Sequence, residues 1–302
     1  MEINPANIVL TETVNGHSVD LMMIEVWDGL YAPVGVRKPD GDGPFPMVLL
    51  ASGNGGEGVE WIRDSMRNRA YTVDKLVEAG FACAWTRYRT EVELGYNNGG
   101  KLIRDVRQGR EMFNRSPLEY EDEIAIADYF KTVPWVDAKR LSMIGMSHGG
   151  EMVLKMTSEY HGFAAAIASE PASHEFLALK PDDTAFVNEE TGLRNIEEMQ
   201  MAEVDKVRRR IDLAVAMRRI ENINTPILVM GRDEDHLQGI FRTSYDLLVE
   251  SGKNVDWVSY DHDYHGYIFP IRGKDGKYIL NEVQEEAIAF VIAWLKEKLS
   301  VT

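Results

Sequence analysis

The chain has 302 residues, 44% of them hydrophobic, with 33 Lys and Arg against 49 Asp and Glu for a net charge of −16. That length and apolar content suit one large α/β unit or two small ones. The acidity argues against nucleic acid and anionic membrane surfaces as partners, because both are bound through basic side chains that neutralise phosphates.

The single cysteine, Cys83, allows no intramolecular disulfide. Residues Met1 to Leu10 lack a basic segment followed by an apolar one, and no apolar run reaches the roughly 18 residues a spanning helix needs. A cytoplasmic location is the expectation.

Ile8 to Val14 and Ser18 to Ile24 flank Asn15-Gly16, a hairpin signal. Leu30 to Arg37 continues as strand, and Pro39 to Pro44 is a turn cluster. Met47 to Ala51 is a short apolar run, as a strand covered on both faces requires. A helix is expected over Thr72 to Ala79, stopped by Gly80, and a buried strand over Phe81 to Trp85. The next helix, Pro117 to Thr132, has Ser116 as cap and Glu119 as the second half of a capping box. Strand Leu141 to Ile144, helix Gly149 to Tyr160 and strands Ala164 to Ala168, Ile227 to Met230 and Asp256 to Tyr260 follow. The closing helix, Glu282 to Leu299, spaces Ile288, Val291, Ile292 and Leu295 on one face. Such alternation predicts a mostly parallel sheet with helices on both faces and antiparallel strands at the N-terminal edge. Between Pro171 and Asn222 it lapses, and residues 172–222 are read as a helical insertion within a single domain. Its one long helix, Ile196 to Ile220, is a candidate lid or a packing helix.

Gly145-Met146-Ser147-His148-Gly149 fits Gly-x-Ser-x-Gly between a strand and a helix. That spacing puts a serine hydroxyl on a tight strand-to-helix turn, with the following amide, that of His148, facing a developing oxyanion. A serine needs a base. The late histidines His262 and His265 are the candidates, and His265, further past its strand and followed by Gly266, is preferred. The orienting carboxylate should follow strand Ile227 to Met230, where Asp233, Glu234 and Asp235 are adjacent; Glu170 is a more distant choice. The loop from Ser52 to Gly58 is glycine-rich and offers Gly53 or Asn54 as the second oxyanion donor. Asp261 to His265 contains metal-ligand types, but no second cluster completes a site, and no metal or organic cofactor is expected. Arg63, Arg67, Arg69, Arg87 and Arg89 could meet a substrate carboxylate or could pair with Glu60, Asp64 and Glu91.

Several stretches together resemble the dienelactone-hydrolase-like and prolyl-oligopeptidase-like branch of the α/β hydrolases. They are Pro46 to Leu50 leading into the glycine-rich loop, Arg87-Tyr88-Arg89, Trp135 to Arg140, Pro226 to Met230 and His265-Gly266-Tyr267. The resemblance covers about Leu30 to Leu299 and implies the α/β-hydrolase fold. It also implies a Ser147–Asp235–His265 triad: aligning the family's His-Gly-x-x-Asp pattern brings Asp235 to the acid position. Gly231 and Arg232 then replace the usual His-Gly, which keeps Asp233 as an alternative. Dienelactone hydrolases proper use a cysteine nucleophile; here the elbow holds serine, and Cys83 reads as core. The activity implied is cleavage of a small-molecule carboxylic ester through an acyl-enzyme. Peptidases of this branch typically carry a large N-terminal propeller, for which the sequence has no room before its first strands. Peptide cleavage and acyl transfer therefore rank below ester hydrolysis, and a non-catalytic binding role ranks lower still.

Overall fold

The computed structural model describes residues 8–14, 16–53, 58–88, 116–180 and 201–301. Strands β1 (Ile8–Val14) and β2 (His17–Glu25) form the expected hairpin, with Val14 opposite His17. Then come β3 (Tyr31–Arg37), β4 (Phe45–Ala51), helices α1 (Gly58–Asn68) and α2 (Tyr71–Glu78), and β5 (Ala82–Thr86). After them run α3 (Ser116–Lys131), β6 (Val136–Met146), α4 (His148–Glu159), β7 (Ala165–Ser169), α5 (Val204–Arg210) and α6 (Leu213–Glu221). The chain closes with β8 (Ile227–Arg232), α7 (Gln238–Glu250), β9 (Val255–Tyr260), a small hairpin β10 (Ile271–Arg272) and β11 (Tyr278–Ile279), and α8 (Glu282–Lys298).

Among the described residues nine strands form one sheet in the order β1-β2-β3-β5-β4-β6-β7-β8-β9. The β1–β2, β2–β3 and β3–β5 pairs are antiparallel, and every pair from β5 to β9 is parallel. Both faces are covered, which explains the unbroken apolar runs. In β4, Met47, Leu49 and Ala51 join one core with α3, α4 and α7, whereas Val48 and Leu50 join the other with α1, α2 and α8. Strand β8 divides likewise, with Ile227 and Val229 on the first side and Leu228 and Met230 on the second. Among the described residues no helix is long and apolar enough to cross a membrane.

Three local expectations change. Helix α1 goes unread in the sequence because it rises directly from a glycine-rich loop, yet it buries Ile62 and Met66, one turn apart. Glu119, expected only as a capping-box side chain, is buried and its carboxylate accepts from Nε2 of His148 at 2.7 Å. A capping box not singled out in the sequence forms at α8, where Asn281 and Gln284 each bond the other's backbone N–H. The expected long helix ending at Ile220 is two helices in its described part. Ile211 takes extended backbone and bridges to Leu179, and Asp212 caps α6 by accepting from the Val215 N–H. Residues 181–200 of the expected insertion lie outside the described residues.

Candidate active site

Strand β6 ends at Met146 and α4 begins at His148, so Ser147 alone makes the turn, with φ 58 and ψ −116. This is left-handed backbone that a side chain adopts only under constraint, at a cost of about 1–3 kcal/mol. The constraint is visible. Ser147 donates its N–H to Ser169 O over 3.0 Å, and its carbonyl accepts from Ala172 N at 3.0 Å and Glu151 N at 3.1 Å. The flanking glycines are required by close approach. A Cβ at Gly145 would strike the Gly149 carbonyl, and one at Gly149 would strike the carbonyl of Ala51. The start of α4 therefore lies directly on the end of β4.

That contact brings the Ser52–Gly53 segment to the elbow. A Cβ on Gly53 would lie 3.1 Å from Met146 Cε. Three bonds hold the segment from below. Ser52 Oγ donates to Thr86 O at 2.9 Å, Tyr88 Oη donates to Ser52 O at 2.7 Å, and Arg87 Nη1 donates to Gly53 O at 2.7 Å. Because the peptide is trans, a Ser52 carbonyl held by Tyr88 turns the Gly53 N–H to the opposite side. The amide of His148 belongs to the first turn of α4, where backbone N–H groups have no intrahelical acceptor. Asn54, the other expected donor, lies outside the described residues.

His265 arrives on the loop after β9. Gly266, at φ 81, packs against Met146, with its would-be Cβ 3.1 Å from the methionine sulfur. Nδ1 of His265 lies 3.1 Å from Asp235 Oδ2 and 3.3 Å from Glu170 Oε1. Both neighbours are acceptors, so Nδ1 carries the proton. Asp235 is fully buried and is itself fixed. Its Oδ1 accepts from Leu237 N at 2.7 Å, and its Oδ2 accepts from Arg232 Nε at 2.8 Å. Arg232 also donates to the His262 carbonyl at 2.8 Å, tying the acid loop to the histidine loop.

Charge sets the protonation. Burial of the imidazole disfavours its cation, but the two carboxylates outweigh that and raise its pKa to about 9. For Asp235 burial likewise opposes ionisation, and the His265 bond, the Leu237 amide and Arg232 overcome it, lowering the carboxyl to about 2.

The acid that the sequence ranks last, Glu170, thus reaches the histidine, whereas Asp233 turns to the Ser259 hydroxyl at 2.5 Å. The sequence signal for Glu170 is its place directly after a buried strand that neighbours β8. Of the late histidines, His262 is buried and accepts from the Tyr264 N–H at 3.0 Å. The arginines separate as well. Arg63 and Arg67 pair with Glu12, Arg69 sits 3.8 Å from Asp64, and Arg87 is buried under the loop; Arg89 lies outside the described residues. Cys83 is fully buried, and burial pushes its thiol pKa up. Glu170, Asp235 and His265 are ligand types whose atoms lie within 4.8 Å of one another. The guanidinium of Arg232, bonded to one carboxylate and 3.7 Å from the other, puts a fixed positive charge beside them. The cluster suits an imidazole N–H better than a metal ion.

The family model described as "Prolyl oligopeptidase family" matches residues 70–301, well over half of the chain. The chain belongs to the prolyl oligopeptidase family. No curated protein matches it. Among solved structures, dipeptidyl peptidase 4 of Porphyromonas gingivalis is similar with a TM-score of 0.62 at 18% identity, over 93% of this chain and 35% of the peptidase. A putative dienelactone hydrolase from Klebsiella pneumoniae gives 0.60 at 16% identity, over 92% of this chain and 99% of its own. An esterase of Pyrobaculum calidifontis gives 0.60 at 17%, over 94% of this chain and 86% of its own. At these identities the likeness is one of fold, and the fold of this prolyl oligopeptidase family member is that of the α/β hydrolases. The chain spans about a third of the dipeptidyl peptidase and nearly all of the dienelactone-hydrolase neighbour.

Proposed function

We propose that this family member is a serine hydrolase that cleaves carboxylic esters through an acyl-enzyme, with Ser147, His265 and Asp235 as its triad. The observation that supports the reading is the His265–Asp235 pair, with Nδ1 3.1 Å from the buried carboxylate, on a loop whose Gly266 packs against Met146, the residue before the strained Ser147 at φ 58. In the reaction His265 Nε2 takes the Ser147 Oγ proton as Oγ attacks the acyl carbon. The amides of His148 and of Gly53 or Asn54 stabilise the oxyanion. The imidazolium then gives its proton to the departing alcohol. Water, deprotonated by the same nitrogen, attacks the acyl-enzyme, releases the acid and restores the serine. No step calls for a metal or organic cofactor, and the substrate is a small molecule.

Peptide cleavage is the second reading, favoured by the family model itself. The same groups serve it, with an amine in place of the alcohol as leaving group. Hydrolysis of a short p-nitrophenyl ester series, beside dipeptide p-nitroanilides and a Ser147→Ala control, tests both. Ester turnover lost in Ser147→Ala is the expected result. Turnover of the anilides alone would move the assignment to a peptidase, and ester turnover unchanged in Ser147→Ala would refute the nucleophile.

A further inference from the structure

Asp235 is not the only acid on the imidazole. Glu170 follows β7 at φ 46, a left-handed conformation costly for glutamate, and its side chain is fully buried. Oε2 accepts from the Gly266 N–H at 2.8 Å, so the carboxylate is clamped to the residue next to His265. Oε1 has no hydrogen-bond partner within bonding geometry among the described residues and lies 3.3 Å from His265 Nδ1. A buried carboxylate oxygen without a donor is costly unless a proton is within reach, and here the nearest is the Nδ1 proton. Asp235 Oδ2, by contrast, already accepts from Arg232. Among the described residues the charged and titratable groups at this corner include Asp235, Glu170, Arg232, Tyr267, whose hydroxyl donates to the Gly231 carbonyl, and, 3.2 Å from Asp235 Oδ1, His236. The Phe241 ring stacks on the imidazole at 6.3 Å between centroids.

We propose that Glu170 is a second orienting carboxylate for His265, sharing the Nδ1 proton with Asp235, so that the histidine keeps its tautomer and alignment when either acid is lost. Glu170 is a positioning residue acting through His265, and its role in catalysis rests on the Ser147–His265 assignment above. The strained backbone fits this role. The turn at Glu170 is held by its own N–H to Met230 O at 2.7 Å, which brings the side chain back toward the ends of β7 and β8. One orienting acid would not require it.

The test combines a readout independent of turnover with one that depends on it. The first is an NMR titration of the His265 ring in wild type, Glu170→Gln, Asp235→Asn and the double variant, with His265→Gln to assign the resonance. The second is the rate of labelling by a fluorophosphonate against pH, with Ser147→Ala as control. Glu170→Gln keeps an oxygen for the Gly266 N–H and should lower the His265 pKa by about one unit, since one neighbouring charge is removed. The rising limb of the labelling profile should move down with it. Each single variant should label within roughly 100-fold of wild type at its plateau, and the double variant should lose ~10⁴-fold, the loss expected when the only orienting acid is removed. An unshifted His265 pKa in Glu170→Gln would overturn the proposal, as would an Asp235→Asn variant already as slow as the double. Labelling that persists in Ser147→Ala, or is absent from wild type, would instead sink the nucleophile assignment, and the titration would still decide the part played by Glu170.

Discussion

Arg87 donates from Nη1 to the carbonyl of Gly53 over 2.7 Å, from a position 2% exposed, with its guanidinium 4.5 Å from the centroid of the Trp61 ring. An arginine buried in this way supports the loop, a role different from both the substrate-carboxylate contact and the surface ion pair that the sequence left open. Replacing it with alanine leaves the Gly53 carbonyl without that donor and frees the segment that carries a proposed oxyanion N–H. Arg87→Ala should lower kcat/KM by about 10²-fold, the scale of losing one oxyanion donor, equally for neutral and anionic esters. It should also cost about 1–3 kcal/mol of stability in a urea titration, since the Gly53 carbonyl loses a buried donor. A defect confined to anionic esters would show that the side chain reaches substrate after all.

Ser147 stands at φ 58 and ψ −116, where glycine suffers no Cβ clash. Ser147→Gly should abolish turnover while stabilising the fold by about 1 kcal/mol, the relieved strain less the added freedom of the unfolded chain. For a chain of this size that corresponds to a rise of roughly 2 °C in Tm. Scanning calorimetry on Ser147→Gly beside Ser147→Ala checks it, because alanine keeps the strain. Equal melting temperatures would mean that the elbow stores none.

The parts of the site that lie in one continuous stretch were legible in the sequence. Gly145, Ser147 and Gly149 announce the elbow because they form a short fixed pattern between a strand and a helix, although the contact that requires Gly149, with the Ala51 carbonyl, is made by a distant strand. His265 was legible from its place after the last sheet strand. Glu170 was not. Its role depends on β7 and β8 being neighbours, which sets it beside Asp235 across 65 residues of chain, and no local spacing encodes that pairing. Helix α1 was hidden for a related reason. Its burial rests on Ile62 and Met66 meeting the face of the sheet built by Val48 and Leu50, while its own start reads as glycine-rich loop. Asp212 carries a local signal, an Asx residue before a helical run, that the longer helical pattern overrode.

Glu123 sits fully buried behind the same loop, accepting from Thr86 Oγ1 on Oε1, with no hydrogen-bond partner for Oε2 among the described residues. Burial drives its pKa up to about 8, partly offset by the Thr86 bond. A carboxyl that is harder to ionise in the folded protein adds stability that is fully present below its unfolded value, near 4.5, and lost as pH rises through 8. Glu123→Gln, neutral at every pH and able to keep the Thr86 bond, should flatten that decline. Its advantage over wild type should reach about 1–3 kcal/mol above pH 8. Urea titrations at pH 5 and pH 9 decide it, and an unchanged pH slope would mean the carboxyl is ionised in the fold.

The raised pKa of His265, about 9, has a direct kinetic consequence. Only the neutral imidazole can take the serine proton, so kcat/KM for an ester should climb with pH and level off in the alkaline range, near pH 9. Thermodynamically the raised His265 pKa contributes stability that is fully present below pH 6.5 and is lost as pH rises through 9, whereas the lowered Asp235 pKa contributes stability that is present above pH 3.8 and is lost as pH falls through 2. Arg232 tunes this from the other side. It supplies the positive charge next to Asp235 and holds the His262 carbonyl. Arg232→Gln removes that charge while leaving both carboxylates, which should make His265 more basic. The rising limb should then shift upward by roughly half a unit to one unit, opposite to the effect of neutralising a carboxylate. A downward shift in Arg232→Gln would mean that the arginine acts mainly by aligning the two acids on Nδ1, with its charge secondary.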